Sequence, residues 1–353
     1  MINGHVKKTP CSFHYPKWAG CVIIGVMGKE DFKSEEEYVS QAGTGALLNP
    51  RVDSTFKAML TQDTEESRAA MKSFLEAATE RVIKMWKLTA NEPPEEFAGQ
   101  RGVSYDIACE FDDGSAADVE MQAFNQEYDY GKRAEYQVAR LETTYLKRGD
   151  DWEEAPTVYQ ISVLNFNYES GGADGDTPKS PVSRYAMRTK DGRELANALN
   201  IIFVELPKAK GLEDSVETNT ALENWAIFLK NADNPTKKDV IRKLADKEAG
   251  LMNAQKSLSS ISTNRDMWMA QYRREIRERD LISGLSAARR KGVKEGIKQG
   301  IEQGIEQGIE QGIEQGAKQK QIALAKKFMS MGHTAEEAAA FAEIDVKLLK
   351  EKQ

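Results

Sequence analysis

The chain has 353 residues, 40% hydrophobic and 30% charged, with a net charge of −7; at roughly 150 residues per domain, that is about two domains, each able to bury a core. No apolar run approaches the ~20 residues of a membrane-spanning helix, and the apolar stretch at 19–28 lacks the basic n-region and cleavage site of a secretory signal, so the expectation is a soluble protein without membrane partners. Three cysteines, Cys11, Cys21 and Cys109, cannot all pair and show no metal-ligand spacing, which points to a reducing compartment and hence the cytoplasm.

Residues 1–40 mix Pro, Gly and charge with no steady period, which reads as a poorly ordered leader. From Leu47 the pattern turns helical, with Pro50 and Asp53 suited to a first turn, and a second amphipathic helix runs from Glu65 to about Lys84. A strand is expected within "VIKMWKLTA". Next comes "YDIACEFDDGSAADVEMQAF", Tyr105 to Phe124, a hairpin with strict alternation. Its odd positions (Tyr105, Ile107, Cys109, Phe111, Ala117, Val119, Met121) form a core face; its even positions (Asp106, Ala108, Glu110, Asp118, Glu120, Gln122) face a cleft or solvent.

A helix from about Gln126 to Lys147 leads to "TVYQISVLNF", a β-branched buried strand. Asp191-Gly192 signals another hairpin, and helices dominate after Leu206. Strands with intervening helices, then helices alone, make an α/β or α+β core with a helical appendage. The overall acidity argues against nucleic acid, but basic residues cluster between Arg273 and Lys291, interleaved with Glu275, Glu278 and Asp280 as on a solvated, salt-bridged helix face. Next, "GIKQGIEQGIEQGIEQGIEQG" repeats every four residues. Four residues turn a helix by about 400°, so the isoleucine row drifts by about 40° per repeat and cannot form a left-handed heptad seam. The repeat reads as a spacer or as a self-association element. The last segment reads as two short helices around Gly332, with Thr334 and Glu337 forming a capping box; it is a packing unit or a DNA-reading helix pair.

If the hairpin turn is Asp112-Asp113-Gly114, with Gly114 in the left-handed conformation, Phe111 pairs with Ser115 and Asp106 lies across from Glu120. Opposed like charges destabilise a strand pair. A divalent cation between them would remove that penalty, and carboxylates suit Mg2+ or Mn2+; a solvated acidic face is the alternative.

Asp106, followed fourteen positions on by Glu120-Met121-Gln122 across a hairpin, resembles the D…(D/E)-x-K signature of the PD-(D/E)XK nuclease superfamily. The closest likeness is to the Rpn family of recombination-promoting nucleases and transposases: "NPRVDSTFKAML" is similar to its opening D-x-x-F-K segment, "RAEYQVARLETTYLKRGDDWEEAPTVYQISVLNF" to its R-x-x-Y helix and central strand, and the Gly-Ile-Glu-Gln repeats to its tail. The likeness runs from about Leu47 to Trp225.

It implies a restriction-endonuclease-like α/β fold, a central mixed sheet flanked by helices with a mainly helical C-terminal extension. The corresponding divisions are a leader at 1–40, a nuclease-like domain at 41–235, a helical extension at 236–295, the repeat helix at 296–318 and a helical hairpin at 319–353. It further implies a Mg2+-dependent endonuclease acting on DNA, with Mn2+ as a substitute; RNA cleavage would draw on the same residues. Asp106 and Glu120 would bind the metal with the Met121 carbonyl and Asp53, and Gln122 would orient the attacking water. Lys57, Arg133, Tyr136 and Arg140 would contact phosphate. Gln122 stands where the superfamily has lysine, so water activation leans on the metal. An inactive nuclease fold that binds DNA or assembles through its tail is the competing reading, and a homo-oligomer joined by the C-terminal helices is expected.

Overall fold

The computed structural model describes residues 34–93, 100–124, 129–146, 148–168 and 180–350. The chain forms two compact units, 1–274 and 275–353.

The first unit is built on one six-stranded sheet. In chain order its strands are β1 (Trp86–Leu88), β2 (Ile107–Phe111), β3 (Ala116–Gln122), β4 (Val158–Leu164), β5 (Val182–Ala186) and β6 (Leu199–Glu205). They lie in the order β1-β2-β3-β4-β6-β5, with β3, β4 and β6 parallel at the centre and the outer pairs antiparallel. Every residue of β4 is buried. Covered faces on both sides suit its β-branched run to a central parallel strand.

Helices α1 (Glu35–Val39), α2 (Asp53–Thr61), α3 (Glu65–Thr79), α5 (Ala221–Asn231), α6 (Lys238–Lys247) and α7 (Ala249–Ile261) belong to this unit. Phe56, Phe74 and Trp225 from α2, α3 and α5 join Ile107, Val119, Met121, Ile161 and Val163 of the sheet in the main core. Helix α4 (Tyr130–Tyr145) packs on the other face, where Val138 and Leu141 meet Ala108, Ala116 and Val158. Start and stop signals set these lengths. Thr64 and Thr220 cap α3 and α5 by accepting from backbone amides.

Several elements differ from the sequence reading. Of the stretch expected to be a poorly ordered leader, 1–33 lies outside the described residues. Ser34 begins a capping box on α1, and Val39 is buried. Helix α3 stops at Thr79 and not near Lys84, because Glu80 takes a left-handed conformation at φ 57° and turns the chain toward β1. Helix α4 starts at Tyr130, where the Asp129 side chain accepts from the Gly131 amide. The even face of the hairpin, expected to meet a cleft or solvent, is covered by α4. Tyr105 precedes β2, and its ring packs on the α4 side with Val138 and Leu141, away from the core face assigned to odd positions.

Among the described residues, no helix is long and apolar enough to cross a membrane. Helix α8 (Arg265–Met329) is continuous through the repeat, although each interior glycine costs about 1 kcal/mol relative to alanine. Helices α9 (Ala335–Phe341) and α10 (Lys347–Lys350) close the second unit. Thr334 and Glu337 form the capping box of α9, Gly332 turns the chain at φ 101°, and Phe328 stacks between His333 and Phe341.

Candidate active site

The register of β2 and β3 agrees with the count from the turn. Ile107 pairs with Val119, the Phe111 amide donates to the Ser115 carbonyl at 2.8 Å, and Gly114 has φ 83°. Asp106, one residue before β2, therefore sits beside Glu120. Its Oδ2 accepts from the Met121 amide at 3.2 Å and its Oδ1 lies 2.9 Å from Lys57 Nζ. Lys57 is one turn along α2 from Asp53 and also lies 3.4 Å from Asp53 Oδ1. That oxygen is buried and lies within ion-pair reach but outside hydrogen-bond geometry. The α2 start is itself anchored: Gln271 Oε1 accepts from the Asn49 amide and from Thr55 Oγ1.

Glu120 is 0% exposed, and both of its oxygens are engaged. Oε1 accepts from Gln137 Nε2 at 2.8 Å; Oε2 accepts from Gln122 Nε2 at 2.8 Å and from Arg133 Nη2 at 3.0 Å. Arg133 also reaches Gln122 Oε1 at 3.5 Å. Asp53, Lys57, Asp106, Glu120, Met121, Gln122 and Arg133 thus form one polar cluster.

Tyr136 stands apart from it. Its hydroxyl donates to the Arg101 carbonyl at 2.9 Å, and it lines a neighbouring cleft. Arg140, expected to contact phosphate, is instead buried at 6% exposure, because α4 turns that side inward where its charge acts on Tyr105.

Two clefts flank the segment 101–107. One, of about 650 Å3, is lined by Lys57, Asp106, Asn91 and Tyr105; the other, of about 660 Å3, by Arg101, Lys132, Arg133, Tyr136 and Gln137. Ser104 lines both.

Crowding of acids shapes the electrostatics. Burial first, and the Asp106 charge second, push the Glu120 carboxyl up to about 7 against the pull of Arg133 and Gln137. Burial and then Asp106 also raise Asp53, against Lys57. Burial disfavours the Lys57 ammonium, but the hydrogen bond and charge of Asp106, followed by Asp53, outweigh it and raise its pKa.

Two contributors escaped the sequence reading. Gln137 lies one turn beyond Arg133 on the same face of α4, so an i, i+4 count from Arg133 would have found it. Asp118, two residues before Glu120 on the same strand face, is fully buried with neither carboxylate oxygen hydrogen-bonded. Its carboxyl is raised well above the ordinary range by burial, then by Glu120 and Asp106. Beside it, Tyr130 donates to Ser162 Oγ and Ser162 to Gln160 Oε1.

The donor chemistry of Asp106, Glu120 and the Met121 carbonyl suits a hard divalent cation. Lys57 and Arg133 occupy those carboxylates in the present arrangement, and among the described residues no group of three Asp, Glu, His or Cys side chains is spaced to hold a metal. A cation would therefore be held by the two carboxylates, with Asp53 one lysine away.

No curated protein and no solved structure matches the chain. The profile of the PD-(D/E)XK nuclease family transposases matches residues 50–288, a span that contains the whole sheet, α4 and every member of the acidic cluster. That span covers more than half of the chain, and the protein belongs to the PD-(D/E)XK nuclease family transposases.

Proposed function

We propose that this member is a divalent-metal-dependent endonuclease that hydrolyses DNA phosphodiester bonds. The observation that carries the reading is the juxtaposition of Asp106 and Glu120 at one end of the hairpin, with Lys57 and Arg133 held against them. Asp106, Glu120 and the Met121 carbonyl would hold Mg2+ or Mn2+, and Asp53 would support them through Lys57. When bound, such a cation would supply a water of lowered pKa and would neutralise charge on the phosphate.

The chain's own residues do the rest. Gln122 has no proton to exchange, so its part is positional: its amide is held at both ends, by Glu120 and Arg133, where it can orient a water. It lacks the ammonium that lysine supplies at that position in the superfamily; Lys57 brings one to the same cluster from α2. Lys57 and Arg133, which now pair with those carboxylates, would turn to the phosphate oxygens once a cation is held there. The water oxygen would attack phosphorus as the ester P–O bond breaks, and the proton that the water gives up would pass through solvent to the departing oxygen. Tyr136 and Lys132 line the cleft along which the strand would run.

A second reading, an inactive nuclease fold serving in DNA binding or assembly, is favoured by one observation: both Glu120 oxygens are already satisfied by side chains of this chain. Nicking of supercoiled plasmid with Mg2+, beside labelled single-stranded RNA, separates the readings. Metal-dependent DNA nicking that disappears in Asp106→Ala and Glu120→Ala supports the nuclease; equal residual cleavage by all three proteins overturns it, and preferential RNA cleavage reassigns the substrate.

A further inference from the structure

The repeat helix presents an apolar surface that none of the described residues covers. On α8 the residues fall into rows four apart. One row, Leu281, Leu285, Val293, Ile297, Ile301, Ile305, Ile309 and Ile313, is interrupted only by Arg289, and its isoleucines are 57–69% exposed. The adjoining row is small throughout, from Gly284 to Gly316. Beyond the helix's own backbone, a Cβ added at Gly292, Gly296, Gly300, Gly304 or Gly308 would meet no atom of the described residues within 4 Å. Among the described residues, nothing packs on these helix-weakening glycines. A backbone approaching from outside would give them a packing role.

The row on the other side of the isoleucines changes sign along its length. It reads Arg290, Lys294, Lys298, then Glu302, Glu306, Glu310, Glu314. A parallel, in-register pairing of two such helices would set the charged row of one beside the glycine row of the other and leave the charges without partners across the seam. An antiparallel pairing about Gly300 sets Lys298 level with Glu302 and Lys294 level with Glu306 of the other helix, and the symmetry repeats each pair.

From the charge switch, the bare isoleucine row and the glycine row together, we infer that α8 docks antiparallel on α8 of a second copy of this chain, centred near Gly300. The isoleucines form the seam. Successive residues lie about 100° apart, so the charged row flanks the seam on one side and the glycine row on the other. A period of four exceeds 3.6, so the seam drifts in the sense that a right-handed crossing follows. The inference is independent of the nuclease reading, since it uses no residue of the acidic cluster.

Sedimentation equilibrium of the full chain tests it. The wild type is expected to be a dimer that weakens with salt. Lys294→Glu/Lys298→Glu and, separately, Glu302→Lys/Glu306→Lys should each raise the dissociation constant at least about tenfold by facing like charges across the seam. The quadruple variant combining both changes has the wild-type composition and should restore the dimer. Lys298 also pairs with Glu302 within α8 at 3.8 Å, so circular dichroism of each double variant at the working concentration separates docking from helix loss: dissociation with helix content retained is the expected result. A wild type that stays monomeric to roughly 100 µM overturns the inference. So does a dimer whose mass ignores the charge changes, as a parallel pair or a contact elsewhere on the chain would, or a quadruple variant that remains dissociated.

Discussion

The acidic cluster on β3 and the repeat helix α8 are opposite solutions to placing polar residues. At the cluster, buried Glu120 is met by Gln137, Gln122 and Arg133 within 3.0 Å, so its partners come from its own strand, β3, and from α4. On α8, isoleucines stand more than half exposed and the glycines look onto open space. The contrast teaches where each pattern has its cause: contacts within the fold account for the first, whereas among the described residues nothing covers the second, which is why a second copy of the chain is its proposed partner.

The sharpest way to break this comparison is to remove cluster members. Asp106→Ala should abolish metal-dependent nicking, whereas Gln137→Ala, which removes only an orienting hydrogen bond, should lower the rate by about 10- to 100-fold; equal losses in kcat would erase the distinction between ligand and support. Next in size is packing. Trp225, fully buried against Phe74 and Phe228, should cost about 3–5 kcal/mol on Trp225→Ala in denaturant unfolding. Ile305→Ala should leave the monomer's core stability within roughly 0.5 kcal/mol.

Burial of the acids gives a pH signature. Below its ordinary value of 4.5 the Glu120 carboxyl is protonated in the folded and unfolded chains alike and contributes nothing. Between 4.5 and about 7 the unfolded chain ionises while the folded one keeps the proton, so stability falls as pH rises and stays lowered above that window. Glu120→Gln should flatten the fall by roughly 1–3 kcal/mol between pH 5 and 8; a wild type as stable at pH 8 as at pH 5 would contradict the burial effect. The smallest effect is local: Thr334→Ala removes the α9 capping bond and should cost about 1 kcal/mol, confined to the second unit and visible as faster amide exchange there.

Much of the site was legible in the sequence because it follows from local rules. The Asp112-Asp113-Gly114 turn fixes the hairpin register and so the Asp106–Glu120 juxtaposition, and helical spacing links Asp53 to Lys57. Period-2 alternation separates two faces but does not say what covers them, so the placement of α4 over Glu120, with Gln137 and the inward-turned Arg140, stayed hidden. Tyr105 broke the alternation because it lies before β2, where the pleat no longer dictates direction. The end of α3 was missed because Glu80 adopts a left-handed conformation that its residue type does not advertise.

Isothermal titration of the full chain with Mn2+ at pH 8, beside Glu120→Gln, addresses the catalytic proposal most directly. Binding of Mn2+ by the wild type, with loss of that binding in the variant, is the predicted result, since the cation must displace Arg133 and Lys57 from the two carboxylates. No heat of binding in either protein would mean that the cluster keeps its own side chains as its only cations, and would contradict a metal-dependent nuclease.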